Sequence, residues 1–370
     1  MGMISYIIWN GSPEIFETKA FALRWYGLLF ILGFLISQQI LYYIHQKENK
    51  PEKDVDTLTI YMIVATIIGA RLGHVLFYSP EIIWENPLGI FLPFEFNPFR
   101  FTGLRGLASH GGAAGILFAL WLYARKNRPG QSYLQVVDRI VILVALTGAL
   151  IRIGNYFNSE IIGTPTAKPW GVVFVNNFSE RLDRLDREGS IESIEFRAND
   201  SIPVTKDGGV PMNVYVLFRP NTTREYADQM LDEGINIMSY NESEHFDTQS
   251  QQPTAVVSMS NNIYAGRIST IGIARHPAQL YESISCILLF VVLFLIWSRY
   301  KNELPPGRLL GIFLIWCFGL RFLFEFLKEV QVPFENELLA SAGLNMGQIL
   351  SIPLILAGIV ILVLSYRKKA

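Results

Sequence analysis

The sequence predicts an all-α polytopic membrane protein. It has seven transmembrane helices, its N-terminus outside and its C-terminus cytoplasmic, and a small α+β extracytoplasmic head. Three observations predict this. Of the 370 residues, 51% are hydrophobic and only 17% charged, against about a quarter charged in a soluble domain. The apolar residues gather in runs of about 20, the length of helix that a hydrocarbon core requires. The charges are segregated as well, so the mean hydropathy of +0.29 averages very apolar stretches with one polar block.

The expected spans are 21–44, 57–79, 107–124, 134–157, 277–298, 308–327 and 347–366, each bounded by charge or by Pro and Gly. Basic residues of short loops set the orientation. Lys47, Lys50 and Lys53 follow the first span, Arg125, Lys126 and Arg128 the third, and Arg299, Lys301 and Arg308 the fifth. Arg367, Lys368 and Lys369 close the chain, whereas the other short segments hold only Lys19, Arg100, Arg105 and Lys328. Odd-numbered spans therefore end in the cytoplasm. The expected domains are 1–163 (spans one to four), 164–270 (the head) and 271–370 (spans five to seven).

The head carries nine Lys and Arg against fifteen Asp and Glu. Asn213–Phe218 and Thr254–Ser258 read as strands, and Thr222 with Glu225 as a capping box opening a helix. Ser239–Pro253 reads as a mobile loop, and Ile82–Phe99 as a segment lying along the outer interface. Cys286 and Cys317 fall inside apolar runs and read as packed small hydrophobes rather than catalytic thiols. The first residues lack a basic region followed by a small-residue cleavage site, so no removed signal peptide is expected. Nothing suggests a nucleic-acid partner.

Ionisable residues in apolar spans are expensive and mark functional sites by default. His110 lies beside Gly111 and Gly112 at the outer start of span three. Arg152, Asn155 and Asn158 recur every third residue at the outer end of span four, with Glu160 just beyond. Arg275, Gln279 and Glu282 are spaced to share one face at the outer start of span five. Arg24 and Tyr26 enter from the outer end of span one. Arginines suit a phosphate, because their donors form a fork and stay charged when partly desolvated. A histidine suits proton transfer near neutrality, and paired glycines let a helix or a substrate come close. Arg321 with Glu325 and Asp138 with Arg139 read as structural pairs, while Arg71, His74 and His276 read equally as packing or as site.

These residues carry a resemblance. LRWYGL (23–28), GARLGHVLFY (69–78), SHGGAAGI (109–116), RIGNYFNSEIIG (152–163), RHPAQLYE (275–282), GLRFLFEFLKE (319–329) and MGQILSIPLILAG (346–358) resemble the successive motifs of the prolipoprotein diacylglyceryl transferase family. The resemblance implies a multi-pass enzyme of the bacterial cytoplasmic (inner) membrane, with its active site toward the outer face. It implies transfer of sn-1,2-diacylglyceryl from phosphatidylglycerol to the lipobox cysteine of a prolipoprotein, forming a thioether and releasing glycerol phosphate. The implied partners are phosphatidylglycerol, membrane lipid, and the prolipoprotein's signal peptide and lipobox cysteine, with no metal and no cofactor. It also implies that Arg152 and Arg275 are the essential arginines and that Tyr26, His110, Asn155 and Glu160 belong to the site.

On the residues' own chemistry, Arg152 and Arg275 would hold the departing phosphate, with Asn155, Glu160, Gly111, Gly112, Gln279 and Glu282 lining the substrate site. The base that takes the thiol proton is His110, Tyr26 or no side chain at all. Two features depart from the expected pattern. The head is longer than the resemblance leads one to expect, and Ile151 stands where glycine is expected before the arginine. A secondary transporter, a scaffold or receptor with an outer binding head, and another lipid-headgroup transferase are the competing classes. A transporter is disfavoured by the lack of an internal repeat, and a scaffold would not need converging arginines and a histidine.

Overall fold

The structure, a computed structural model, describes residues 6–17, 22–85, 87–90, 94–96, 99–101, 106, 108–126, 128–199, 201–205, 207–328 and 343–367. Lys19, Arg105, Lys368 and Lys369, used above for orientation, lie outside the described residues. The helices are α1 (Trp25–Lys47), α2 (Lys53–Tyr78), α3 (Ile82–Glu85), α4 (Ser109–Ala124), α5 (Tyr133–Phe157), α6 (Asn176–Leu185), α7 (Arg224–Asn236), α8 (Ala278–Tyr300), α9 (Arg308–Phe324) and α10 (Met346–Arg367). The strands are β1 (Ile7–Trp9), β2 (Glu14–Glu17), β3 (Ala22–Arg24), β4 (Phe94–Phe96), β5 (Phe99–Phe101), β6 (Val172–Phe174), β7 (Ile191–Ala198), β8 (Gly209–Phe218), β9 (Thr254–Ser260) and β10 (Ile263–Ile273).

Among the described residues six helices are long and apolar enough to cross a membrane: α1, α2, α5, α8, α9 and α10. They match six of the seven expected spans. The expected third span is α4, whose 16 residues reach about 24 Å at 1.5 Å per residue, short of a ~30 Å hydrocarbon core. It starts late because Gly106 sits at φ +71° and Ala108 is extended. The stretch expected along the outer interface forms α3, a 3₁₀ turn at Pro87–Ile90 and the β4–β5 hairpin.

The chain divides into two compact units. The first comprises Met1–Phe30, Ala149–Ile284 and Arg321–Ile349, and the second Ile31–Gly148, Ser285–Leu320 and Leu350–Ala370. In the second unit a core of Leu41, Ile44, Leu58, Leu120, Val137, Ile140, Leu293 and Trp297 is sealed from solvent. Other apolar side chains, among them Ile60, Phe118, Leu295, Leu356 and Val360, point outward, as lipid-facing residues do. Several buried polar groups inside this unit are paired. The buried Glu48 carboxylate accepts from Arg139 at 2.7 Å and Trp297 Nε1 at 2.8 Å, and it pairs with Lys50. Asp138 accepts the Gly307 and Leu310 backbone N–H groups at 2.7 and 2.8 Å. It thereby satisfies orphan donors at the start of α9. Arg71 donates to the carbonyls of Gly89, Ile90 and Gly106. The structural reading of Asp138 and Arg139 is supported, and Arg71 fastens the turn that follows α3.

Helices α2 and α4 meet backbone to backbone through Gly69 and Gly73 on one side and Gly111 and Gly115 on the other. A Cβ on Gly111 would lie 2.3 Å from the Gly69 carbonyl oxygen and 2.7 Å from Gly73 Cα. This is the small-xxx-small packing of apolar helices. Gly112 has ordinary room, since its Cβ would meet Ala70 Cβ at 3.6 Å.

The first unit contains a four-stranded antiparallel sheet in the order β7-β8-β10-β9. Val214, Val216, Phe218 and Ile268 from the sheet, with Phe178, Met230, Leu231 and Phe246, form its core. The expected strands lie within β8 and β9, and β7 and β10 complete the sheet. Helix α7 is capped by Thr223 rather than Thr222: Thr223 Oγ1 accepts from Tyr226 N, while Thr222 Oγ1 donates to the Arg219 carbonyl. The run expected to be a mobile loop is pinned instead. Glu242, His245 and Phe246 are at most 2% exposed. Backbone bonds join His245 to Ile273 and Asp247 to Ile271. Near the N-terminus β1 pairs in parallel with β6, and Trp9 packs on Tyr156 and Phe157.

His245 is enclosed in this pinned run. Glu242 and Glu244 carboxylates lie 3.6 and 3.5 Å from Nε2, yet burial first and the Arg275 charge second push the imidazole down to about 4. The ring is neutral, so these contacts are not ion pairs. Stability that depends on a neutral His245 is complete above pH ~6.5 and is lost as pH falls from there through about 4. Thermal unfolding of the detergent-solubilised protein checks this. We expect a loss on the order of 3 kcal/mol across that window, and a flatter acid limb for His245→Gln; equal slopes would contradict the assignment. The glycine contact has its own check. Gly111→Ala should cost about 1–3 kcal/mol through overpacking and Gly112→Ala much less, both read by the same unfolding measurement.

Candidate functional site

The last turns of α5 bring Arg152 and Asn155 to one face, because residues three apart are neighbours on a helix. Arg152 Nη1 donates to Asn155 Oδ1 at 3.4 Å, and Asn155 and Asn158 each donate to the Glu160 carboxylate at 3.2 Å. Gly154 admits Tyr26 against the helix, since a Cβ there would lie 2.9 Å from Tyr26 Cα. The Tyr26 hydroxyl thus lies in the field of both Glu160 and Arg152.

Beyond Phe157 the chain turns sharply. Ser159 and Ile161 take φ of 51° and 57°, a region that a β-branched residue rarely enters. Strain of this kind persists only where surroundings enforce it. Here Ser159 Oγ bonds Asn176, and Gln279 Nε2 donates to the Glu160 carbonyl at 2.6 Å. The turn leaves the Glu160 side chain facing back toward the asparagines.

Gln279 and Glu282 share a face of α8, as their spacing predicts. Arg275 does not share it, because α8 begins at Ala278, after Pro277. Arg275 lies on an extended segment whose backbone pairs with Val172 in both directions at 2.9 Å. Arg275 is 3% exposed, and its side chain donates to the Glu244 carbonyl through Nε and Nη2 and to the Gly163 carbonyl through Nη1. Arg275 therefore ties the pinned run of the head to the connector after α5.

The partner of Arg152 is Glu282, with Nε and Oε2 2.5 Å apart. The other oxygen, Oε1, pairs with Lys328 Nζ, and Lys328 also reaches Glu325 Oε1 at 3.4 Å. Glu325 further meets Arg321 at 3.6 Å and accepts from Asn345 at 3.2 Å. Lys328 reaches this position because the connector is stitched on both sides. Gly163 N bonds the His276 carbonyl at 2.9 Å and Thr164 N the Leu327 carbonyl at 2.8 Å. A Cβ on Gly163 would lie 2.6 Å from His276 Cβ and 2.7 Å from the Leu327 oxygen. Arg321 and Glu325, expected as a structural pair, belong to this network, and Lys328 was expected only as a loop cation. The spacing of Glu325 and Lys328 in FEFLK is the signal that would have found them.

His110, Gly111 and Gly112 belong to the second unit. His110 is exposed, with its ring 5.2 Å from Phe77 edge-on and 5.9 Å from Tyr78, and His74 stacks on Tyr78 at 5.6 Å.

The first unit thus groups Arg152, Lys328 and Arg321 with Glu282 and Glu325 among apolar helix ends. Such a set can receive an anion, because a phosphate can take up the guanidinium that a carboxylate otherwise fills. Comparison with known proteins gives the set a family. The prolipoprotein diacylglyceryl transferase family matches residues 13–364. A Tolumonas auensis protein called phosphatidylglycerol–prolipoprotein diacylglyceryl transferase is 31% identical over 98% of this chain and 99% of its own length. Proteins of the same name from Bacteroides fragilis and Porphyromonas gingivalis are 32% and 33% identical, over 98% and 97% of this chain and 97% and 94% of their own. The chain belongs to the prolipoprotein diacylglyceryl transferase family.

Proposed function

We propose that this protein transfers sn-1,2-diacylglyceryl from phosphatidylglycerol to the lipobox cysteine of a prolipoprotein. The observation that carries the reading is nearly full-length similarity to relatives named for that reaction. The partly accessible cationic network of the first unit supports it. The cysteine thiolate attacks the glyceryl carbon bonded to the phosphate oxygen. A C–S bond forms, the C–O bond breaks, and glycerol phosphate leaves with the bonding pair. The thiol's proton passes to His110, to Tyr26 or directly to solvent. Arg152 binds the phosphate and stabilises its departure. Arg275 is assigned with it, contributing by fixing the connector as well as by charge. Asn155, Glu160, Gln279 and Glu282 complete the substrate site.

In this proposal the protein sits in the bacterial inner membrane with seven spans, α4 being the short third. The N-terminus and the 164–270 head face outward, the C-terminus is cytoplasmic, and the active site opens toward the outer face. The basic residues after spans one, three and five support this orientation. The substrates are a membrane phospholipid and a signal-peptide-bearing protein.

Purified protein incubated with phosphatidylglycerol and a lipobox peptide should yield a diacylglyceryl adduct on the peptide cysteine, read by mass spectrometry. Arg152→Ala and Arg275→Ala should each lower the rate by at least about 100-fold, the scale of a lost charge partner at a reacting centre. Activity remaining in His110→Ala would remove His110 as obligatory base. No adduct from folded wild-type protein would overturn the reading.

A further inference from the structure

The two oxygens of one carboxylate are divided between two cations: Glu282 Oε2 is on Arg152 and Oε1 on Lys328. The side chains differ in accessibility. Arg152 is 26% exposed, Glu282 11% and Lys328 7%. The deeper cation is therefore the one that also touches Glu325, and the more accessible one is the arginine suited to phosphate. The surrounding groups are Arg321 and Asn345 on Glu325, and Asn155, Asn158 and Glu160 on the other side of Arg152. Three cations thus face two carboxylates, while Glu160 is held by asparagines. A phosphodiester entering this set adds a negative charge beside Glu282. Two anions cannot share one guanidinium edge at low dielectric without strong repulsion. An anion that seats on the edge of Arg152 held by Glu282 must therefore displace that carboxylate, and a displaced carboxylate left unpaired in an apolar site is costly.

We propose that Glu282 and the lipid phosphate exchange on Arg152, with Lys328 holding Glu282 throughout the exchange. Lys328 is then a positioning residue and Glu282 a competitor that tunes phosphate affinity. The proposal rests on the transferase reading given above. It predicts effects of opposite sign on two partners of one ion pair, which a merely structural role would not produce.

The test measures KM and kcat for phosphatidylglycerol in Glu282→Gln, Lys328→Met and Lys328→Arg, with thermal midpoints for each. Protection from unfolding by glycerol phosphate is read in parallel, since it needs no turnover. In Glu282→Gln the competitor is gone: KM should fall about 3–10-fold and glycerol phosphate should protect at lower concentration. The kcat should fall too, because the same uncompensated charge retains the leaving group. In Lys328→Met the carboxylate depends on Arg152 alone, so KM should rise about 10-fold or more. Lys328→Arg should restore KM to within about threefold. Changes of KM in the same direction in Glu282→Gln and Lys328→Met would overturn the exchange, as would an unaltered KM in Lys328→Met. If Lys328→Met fails to fold, the Glu282→Gln protection curve decides alone, and an unshifted curve overturns the proposal. A wild-type protein that glycerol phosphate protects but that forms no adduct would instead remove the transferase reading.

Discussion

The carboxylate of Glu282, shared between Arg152 and Lys328, is the interaction on which the first unit is organised. Removing one partner of a buried pair typically costs about 3–5 kcal/mol, because the other charge is left without compensation. The partial exposure of Arg152 places this case toward the lower figure. The three charges come from the end of α5, the start of α8 and the segment after α9, so their meeting requires the backbone to be held in register. Gly163 provides that register by passing between His276 and Leu327 where no Cβ fits. The strained turn at Ser159 and Ile161 and the Gln279 bond to the Glu160 carbonyl fix the other side.

The same rule governs the second unit with a different outcome. Glu48, Arg139, Lys50 and Trp297 satisfy one another behind an apolar shell. Asp138 is saturated by backbone donors. These groups are closed on themselves, whereas Arg152 and Arg321 remain partly accessible. Both sets are charged residues within or at the ends of apolar helices, and accessibility separates a brace from a site.

Much of this was legible in the sequence, for identifiable reasons. Six spans were readable because runs of about 20 apolar residues have few alternatives in helix-forming sequence. The third was overestimated because Gly106 and an extended Ala108 delay α4, and composition does not register backbone conformation. β8 and β9 were visible through their β-branched residues, while β7, with Glu192, Glu195 and Arg197, lacks an apolar run. Arg152, Asn155 and Glu160 were found because they lie close to one another in sequence, although the ion-pair partner of Arg152, Glu282, does not. Arg275 was placed on a helical face it does not share, since the Pro277 that starts α8 was not used to end the periodicity. The spacing of Lys328 from Glu325 is a local signal, whereas its contact with Glu282, distant in the chain, is visible only in the fold.

The most direct test of the central claim, that Arg152 recognises the phosphate of the lipid, is a thermal-unfolding titration with two lipids of identical acyl chains. Phosphatidylglycerol should raise the midpoint of the wild-type protein, and diacylglycerol, which lacks the phosphate, should leave it nearly unchanged. Arg152→Gln should abolish the difference. Equal stabilisation by both lipids, or a difference that persists in Arg152→Gln, would contradict the account.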